Sequence, residues 1–213
     1  MAASSTGLRE RKKAQTEARI WRIAVGMFVE RGFDQVSVAE IAAAAEVSKV
    51  TVFNYFPTKE ELVMSPPEQH TDDLAAAVRG RSPGQSAVAA IRAQFLDALD
   101  RRDPAVGFND EKHILDVLRL IMETPALRER AHAMALASES ALADELAAQS
   151  ADHDPLIAAV AAAQLAGARR CLAGLNHRRL LGGETCEQVF PDAKANAIRA
   201  FALVEKGLGA WPD

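Results

Sequence analysis

SVAEIAAAAEVSKVTVFNYF, residues 37–56, sets two short helical stretches around a tight turn. Ser37-Val38-Ala39-Glu40 has the spacing of a capping box, in which a serine hydroxyl accepts a free amide of the first turn while a glutamate three residues on reaches back to the serine amide. A helix is therefore predicted over 38–45. A second is predicted over 49–56, closed by Pro57, which bars its predecessor from helical geometry. Ile41, Ala42, Ala45, Val47, Val52 and Phe56 supply a small shared core, and Ala42 and Ala45 permit a close crossing. Lys49, Thr51, Asn54 and Tyr55 are left facing outward at the second helix, where polar side chains reach base edges or phosphates in a DNA major groove.

Upstream, a long helix is predicted over 8–31, with Ile20, Ala24 and Met27 on one face, Trp21, Val25 and Phe28 beside them, and Gly32 at its end. Arg9, Arg11, Lys12 and Lys13 bunch within five positions as a basic arm. Downstream, Thr58 is expected to cap a third short helix, stopped by Ser65-Pro66-Pro67, and Lys59 near its start can meet a phosphate beside the helix amides. The formal charge of -4 argues against a nucleic-acid partner until it is divided along the chain. Residues 1–64 carry nine Lys and Arg against eight Asp and Glu, the remaining 149 residues 16 against 21. Such a chain meets a polyanion at one end only.

The rest of the chain also reads as helix, because Ala dominates and no β-branched alternation is sustained. Ser82-Pro83-Gly84-Gln85 is expected to open a helix running to about Arg102, and Asp103-Pro104 to end it. Asn109 or Asp110 starts another, with Ile114, Leu118 and Ile121 on its apolar face, and Thr124-Pro125 a further one. Asp154-Pro155 begins a helix over 155–181, roughly 40 Å long, ended by Gly182-Gly183. The last is expected from Pro191. The fold class is thus all-α with about nine helices: a head over residues 1–64 and a larger bundle over residues 65–213.

The stretch IWRIAVGMFVERGFDQVSVAEIAAAAEVSKVTVFNYFPTKEEL, residues 20–62, resembles the TetR family of one-component bacterial regulators. The resemblance implies a three-helix helix-turn-helix head on a helical domain that binds a small-molecule effector and forms a homodimer. It implies DNA contact by Ser37, Lys49, Val50, Thr51, Phe53, Tyr55 and Lys59, to which the outward Asn54 and the capping Thr58 are added, and phosphate or minor-groove contact by Arg9, Arg11, Lys12 and Lys13. Three positions depart from the family pattern: Glu46 where glycine is usual in the turn, Val50 where a small residue is frequent, and Phe53 where tyrosine is common. If the backbone is left-handed at Glu46, a side chain there costs about 1 kcal/mol.

Two stripes bear on assembly: Val160, Ala163, Gly167, Cys171 and Gly174 on the 155–181 helix, and Ala197, Phe201, Val204 and Leu208 on the last. They build either an ordinary core or a four-helix contact between two subunits, and the resemblance favours the dimer. Phe95, Leu99, Phe108, His113, Leu118, Met122 and Met134 offer apolar and soft surface that lines a ligand cavity or fills a core, and only the resemblance favours a cavity.

Histidines 70, 113, 132, 153 and 177 stand far apart and Cys171 and Cys186 lack metal-ligand spacing, so no metal or cofactor is expected. No nucleophile elbow, phosphate loop or paired-carboxylate spacing is visible, and no enzyme activity is expected. The longest weakly polar stretch, 13 residues over 156–168, is short for a bilayer, and no signal peptide opens the chain, so a cytoplasmic protein is expected. The expected function is a ligand-responsive repressor on a palindromic operator. The alternatives are a transcriptional activator, a ligand-binding protein with impaired operator recognition, or a nonspecific DNA-coating protein.

Overall fold

The computed structural model describes residues 3–68, 70–150 and 154–207, with side chains described at 11–65, 70–150 and 154–207. Among them are ten α-helices, one 3-10 turn and no strand, an all-α fold as the sequence predicts. The helices are α1 (Ala3–Arg31), α2 (Val38–Ala44), α3 (Lys49–Tyr55), α4 (Glu61–Glu68), α5 (Asp73–Arg79), α6 (Ala87–Asp100), α7 (Lys112–Glu123), α8 (Pro125–Gln149), α9 (Pro155–Leu181) and α10 (Cys186–Lys206). The 3-10 turn, Pro104–Val106, follows α6. Residues 1–66 and 116–131 form one compact unit, and 67–115 with 132–213 another.

Four expected boundaries are corrected. α1 begins at Ala3, five residues earlier than expected, and the basic residues lie within it, as the expected helix over 8–31 also had them. α4 continues through Pro66 and Pro67 to Glu68, with Leu62, Val63 and Met64 buried in the preceding turn. Ser82-Pro83-Gly84-Gln85 is a turn, closed by Gln85 N–H donating to the Ser82 carbonyl at 3.0 Å, and the N-cap of α6 is Ser86. α10 starts at Cys186, where Thr185 and Gln188 form a second capping box, and Pro191 lies inside the helix. α5 was not anticipated; Leu74, Ala75 and Val78 bury its apolar face.

In the first unit α1 packs on α2 and α2 on α3 around Ile20, Ala24, Phe28, Ile41, Val52 and Phe56, all within 1% of full burial. In the second, α10 packs on α9 and α6, and Phe95 meets Phe201 edge-on with centroids 6.0 Å apart. This placement corrects part of the expected interface. Ala197 and Phe201 are buried in the core of their own chain, because the apolar stripe of α10 is spent on α6 and α9. Val204 packs half-buried against that core, and Leu208 lies outside the described residues. On α9, Val160, Ala163 and Cys171 are exposed, with Gly167 and Gly174 half-buried.

The expected cavity residues separate similarly. Phe95, Leu99 and Phe108 are fully buried, the last with its ring centroid 5.9 Å from that of Phe190. Leu118 and Met134 are half-buried, whereas His113 and Met122 are exposed and line no interior.

The 3-10 turn sits on α9. Gly107, with φ +70°, follows it, and a Cβ there would meet the Ala173 carbonyl oxygen at 2.4 Å and the His177 ring at 2.9 Å. Asn176 Nδ2 donates to the Val106 carbonyl at 3.1 Å, and Arg169 Nη2 to that of Ala105 at 3.1 Å. Burial drives the His177 pKa down to about 4, so the ring beside this turn is neutral near pH 7. Cys186 is buried, and burial with the Asp110 carboxylate pushes its thiol up to about 11, while Cys171 is exposed. By length and composition α9 is long and apolar enough to cross a bilayer, unlike the expectation from residues 156–168. Here its Ala162, Leu165, Ala166 and Leu172 pack into the bundle core.

Candidate nucleic-acid interface

The turn between α2 and α3 sets the angle of the exposed helix. Glu46 has φ +52°, the left-handed region, and the turn closes with Val47 N–H donating to the Ala42 carbonyl at 2.9 Å. The strain anticipated at this non-glycine residue is therefore present, and the turn forms despite it. Glu46→Asn, which tolerates this region without the added chain entropy of glycine, is expected to raise the unfolding free energy by ~0.5 kcal/mol, and Glu46→Val to lower it by about 1 kcal/mol. Urea titration reads both, and a gain from valine would refute the strain.

The start of α2 is fixed by a small network. Ser37 N–H donates to Glu40 Oε2 at 2.9 Å, the Ser37 hydroxyl donates to the same oxygen at 2.8 Å, and Arg31 Nη2 reaches Glu40 Oε1 at 2.7 Å. The Ser37 amide, followed by the Arg31 guanidinium and the Ser37 hydroxyl, lowers the Glu40 pKa to about 2. Ser37 thus works as a cap, and Arg31, which sequence reasoning did not single out, ties the end of α1 to the start of α2.

α3 begins with its own cap. Ser48 Oγ accepts the Thr51 amide at 3.0 Å and lies 2.8 Å from Thr51 Oγ1, so the half-buried Thr51 hydroxyl is already engaged. Beyond the cap, Lys49, Val50, Phe53 and Asn54 are exposed, Val50 at 69%. Val50 and Phe53 therefore do not fill the head's core, which Val52 and Phe56 do at 0% and 1% exposure. Tyr55 is half-buried, and Thr58 is exposed with its hydroxyl accepting the Glu61 amide at 3.3 Å.

Two lysines lie over aromatic rings. Lys49 Nζ is 5.7 Å from the Phe53 centroid; Lys59 Nζ is 4.5 Å from that of Phe33 and 5.6 Å from that of Phe28. The ring quadrupoles attract the ammonium groups and narrow the range each samples. The pair Phe28 and Phe33, with centroids 5.0 Å apart, was the unrecognised partner of Lys59; the Gly32-Phe33 step after α1 was the available signal. Arg11, Lys12 and Lys13 are exposed on α1, and the side chain of Arg9 lies outside the described residues. Chemically the surface offers flexible cations, an exposed carboxamide and two exposed apolar groups of the kind that touch a thymine methyl.

Residues 20–65 match the family model described as bacterial regulatory proteins, tetR family. The chain is 32% identical over 122 residues to the HTH-type transcriptional regulator TcmR of Streptomyces glaucescens, covering 57% of this chain and 54% of that protein. Over 45 residues it is 49% identical to the HTH-type transcriptional regulator LuxR of Vibrio harveyi, covering 21% of this chain and 22% of that one. The chain thus matches about half the length of TcmR and less of LuxR. The fold is similar to the crystal structure of NalD, the secondary repressor of the MexAB-OprM multidrug efflux pump in Pseudomonas aeruginosa. There the TM-score is 0.58 at 18% identity, over 88% of this chain and 97% of that one.

Proposed function

We propose that the chain, whose residues 20–65 match the model of the tetR family of bacterial regulatory proteins, is a sequence-specific, ligand-responsive transcriptional repressor of that family that binds a palindromic operator as a homodimer in the cytoplasm. The observation that carries this reading is the exposed edge of α3, where Lys49, Val50, Phe53 and Asn54 project from a helix held by its own cap, with Lys59 beside it. In this reading residues 1–64 are the DNA-reading head, and residues 65–213 bind the effector and dimerise. The intact turn at Glu46 speaks against an impaired head.

The assigned mechanism is a population shift. An effector that binds the DNA-incompetent spacing of the two heads ~100-fold more tightly moves the equilibrium by about 2.7 kcal/mol, enough to empty the operator. The test is binding of the purified protein to DNA from upstream of its own gene, with random competitor and a salt series. Tight, competitor-resistant binding that weakens steeply with salt is expected; a specificity ratio near one would sink the proposal.

The dimer reading draws on α9. Leu156, Ile157, Val160 and Leu175 are exposed at 68%, 64%, 46% and 41%, an apolar stretch of the kind that other chains cover. Gly167 and Gly174 lie on the same helix, and a Cβ at either would meet only an arginine tip, at 3.9 Å and 3.8 Å. Within one chain neither glycine is sterically required, although each weakens the helix by about 1 kcal/mol relative to alanine. Gly167→Leu is expected to raise the dimer dissociation constant at least tenfold without loss of helical circular dichroism. Sedimentation velocity reads the change, and an unaltered dimer removes Gly167 from the contact.

A further inference from the structure

At about 3.6 residues per turn, successive side chains of a helix stand about 100° apart. The four exposed residues of α3 therefore follow one another around its surface in the order Lys49, Phe53, Val50, Asn54, at steps of roughly 40–60°, and the buried Val52 lies outside this arc. The middle of the arc is apolar and its flanks are polar. Val50 is exposed at 69% and Phe53 at 39%, and the Phe53 ring already lies under the Lys49 ammonium, which leaves Val50 as the more open part of the ridge. α3 carries no arginine, the side chain that most often reads guanine.

Helix-turn-helix geometry lays the second helix in the major groove, so this ridge is the part of α3 that faces the base edges. In unmodified DNA those edges offer one apolar group, the C5-methyl of thymine; everything else they present is a hydrogen-bond donor or acceptor. Against thymine the ridge buries methyl on methyl. Against cytosine it would cover the N4 amino group and give it no acceptor, which is a penalty rather than a missing gain. The neighbouring Asn54 has the carboxamide that pairs with adenine N6 and N7, and Lys49 on the other flank supplies a cation for the phosphates. The whole arc is thus matched to A·T pairs.

We propose that Val50 is a specificity determinant, which selects thymine in each half-site of the operator by packing on its C5-methyl, with Phe53 as the second wall of the contact. The proposal rests on the reading of α3 as the operator-reading helix, and names the base that it selects.

The test compares two preparations of the fragment from upstream of the gene, one amplified with thymidine triphosphate and one with deoxyuridine triphosphate. Uracil lacks only the methyl and keeps every hydrogen-bonding group of thymine. Fluorescence anisotropy with random competitor reads both affinities. The wild-type protein is expected to bind the thymine fragment about tenfold more tightly than the uracil fragment, from one methyl contact in each of two half-sites. Val50→Ser should bring the ratio below about threefold by weakening the thymine complex, with the uracil complex little changed, and Val50→Ile, which keeps the apolar tip, should preserve the ratio.

A wild-type ratio near one would overturn the proposal, as would a ratio undiminished in Val50→Ser, which would mean that the methyl groups act through the shape of the duplex. Helical circular dichroism checks the serine variant. Should it fail to fold, Val50→Thr, of nearly the same shape, decides: a reduced ratio supports the contact and an undiminished one removes it. Tight, competitor-resistant binding of both fragments with equal affinity removes the thymine contact alone and leaves the operator reading standing. Binding of both no tighter than random DNA removes the operator reading, and the thymine contact with it.

Discussion

Gly107→Ala is expected to lower the unfolding free energy by ~3–7 kcal/mol, a large share of the roughly 5–15 kcal/mol that a domain possesses. Three costs add. A side chain at φ +70° is strained by about 1 kcal/mol. The new Cβ would stand 2.4 Å from the Ala173 carbonyl oxygen, so the turn must lift from α9, at a further ~1–3 kcal/mol for overpacking. Lifting it separates Asn176 from the Val106 carbonyl, leaving a buried donor unpaired for another ~1–3 kcal/mol. Gly183→Ala is the matched control, with φ +95° and nothing within 4 Å of the added atom, and should cost only the strain, about 1 kcal/mol. Urea unfolding of the two variants side by side distinguishes these terms, and equal losses would remove the close approach at Gly107 from the account.

Lys59→Ala is expected to weaken operator binding about 30-fold and to flatten the dependence of log K on log salt by roughly 1.8. A twofold-symmetric dimer on a palindrome presents two copies of every contact, so one substitution deletes two phosphate interactions, each worth about 1 kcal/mol. Phe33→Leu keeps the lysine but removes the nearer ring under its ammonium, and should lie between wild type and Lys59→Ala in affinity while the salt slope stays at the wild-type value. Fluorescence anisotropy at four salt concentrations reads both quantities. An unchanged slope in Lys59→Ala would mean that this lysine touches no phosphate.

The head was the more legible part of the chain because its signals are local. Ser37 and Glu40 cap each other three residues apart, Gly32 takes φ +87° at the end of α1, and both are readable without knowledge of tertiary structure. The start of α10 carried an equally local signal, Thr185 with Gln188, which the proline six residues on outweighed in the sequence reading. Burial reverses that weighting: Cys186 and Val189 are at 1% and 0% exposure, and the Cys186 amide donates to Asp110 at 2.8 Å across 76 residues of chain. These long-range contacts offset the backbone bond that Pro191 removes.

The split of the expected interface has the same origin. A 4-3-4 stripe states which face of α10 is apolar, but not whether the same chain or another covers it, and Ala197 and Phe201 are covered by their own. On the candidate DNA surface, residue types identified Lys49 and Lys59; the ring under Lys49 is Phe53, four residues on in the same helix, while those under Lys59 follow from tertiary geometry.

The contrast between the two thiols equips the protein for spectroscopy without mutation. Cys186 is buried and its pKa is raised to about 11, so little thiolate is available for alkylation at neutral pH, whereas Cys171 is exposed on α9. Because Cys171 shares its face of α9 with Gly167, a fluorescent maleimide should enter once per chain in dilute protein and be slowed where a second subunit covers that face, so the labelling rate against protein concentration reads the assembly.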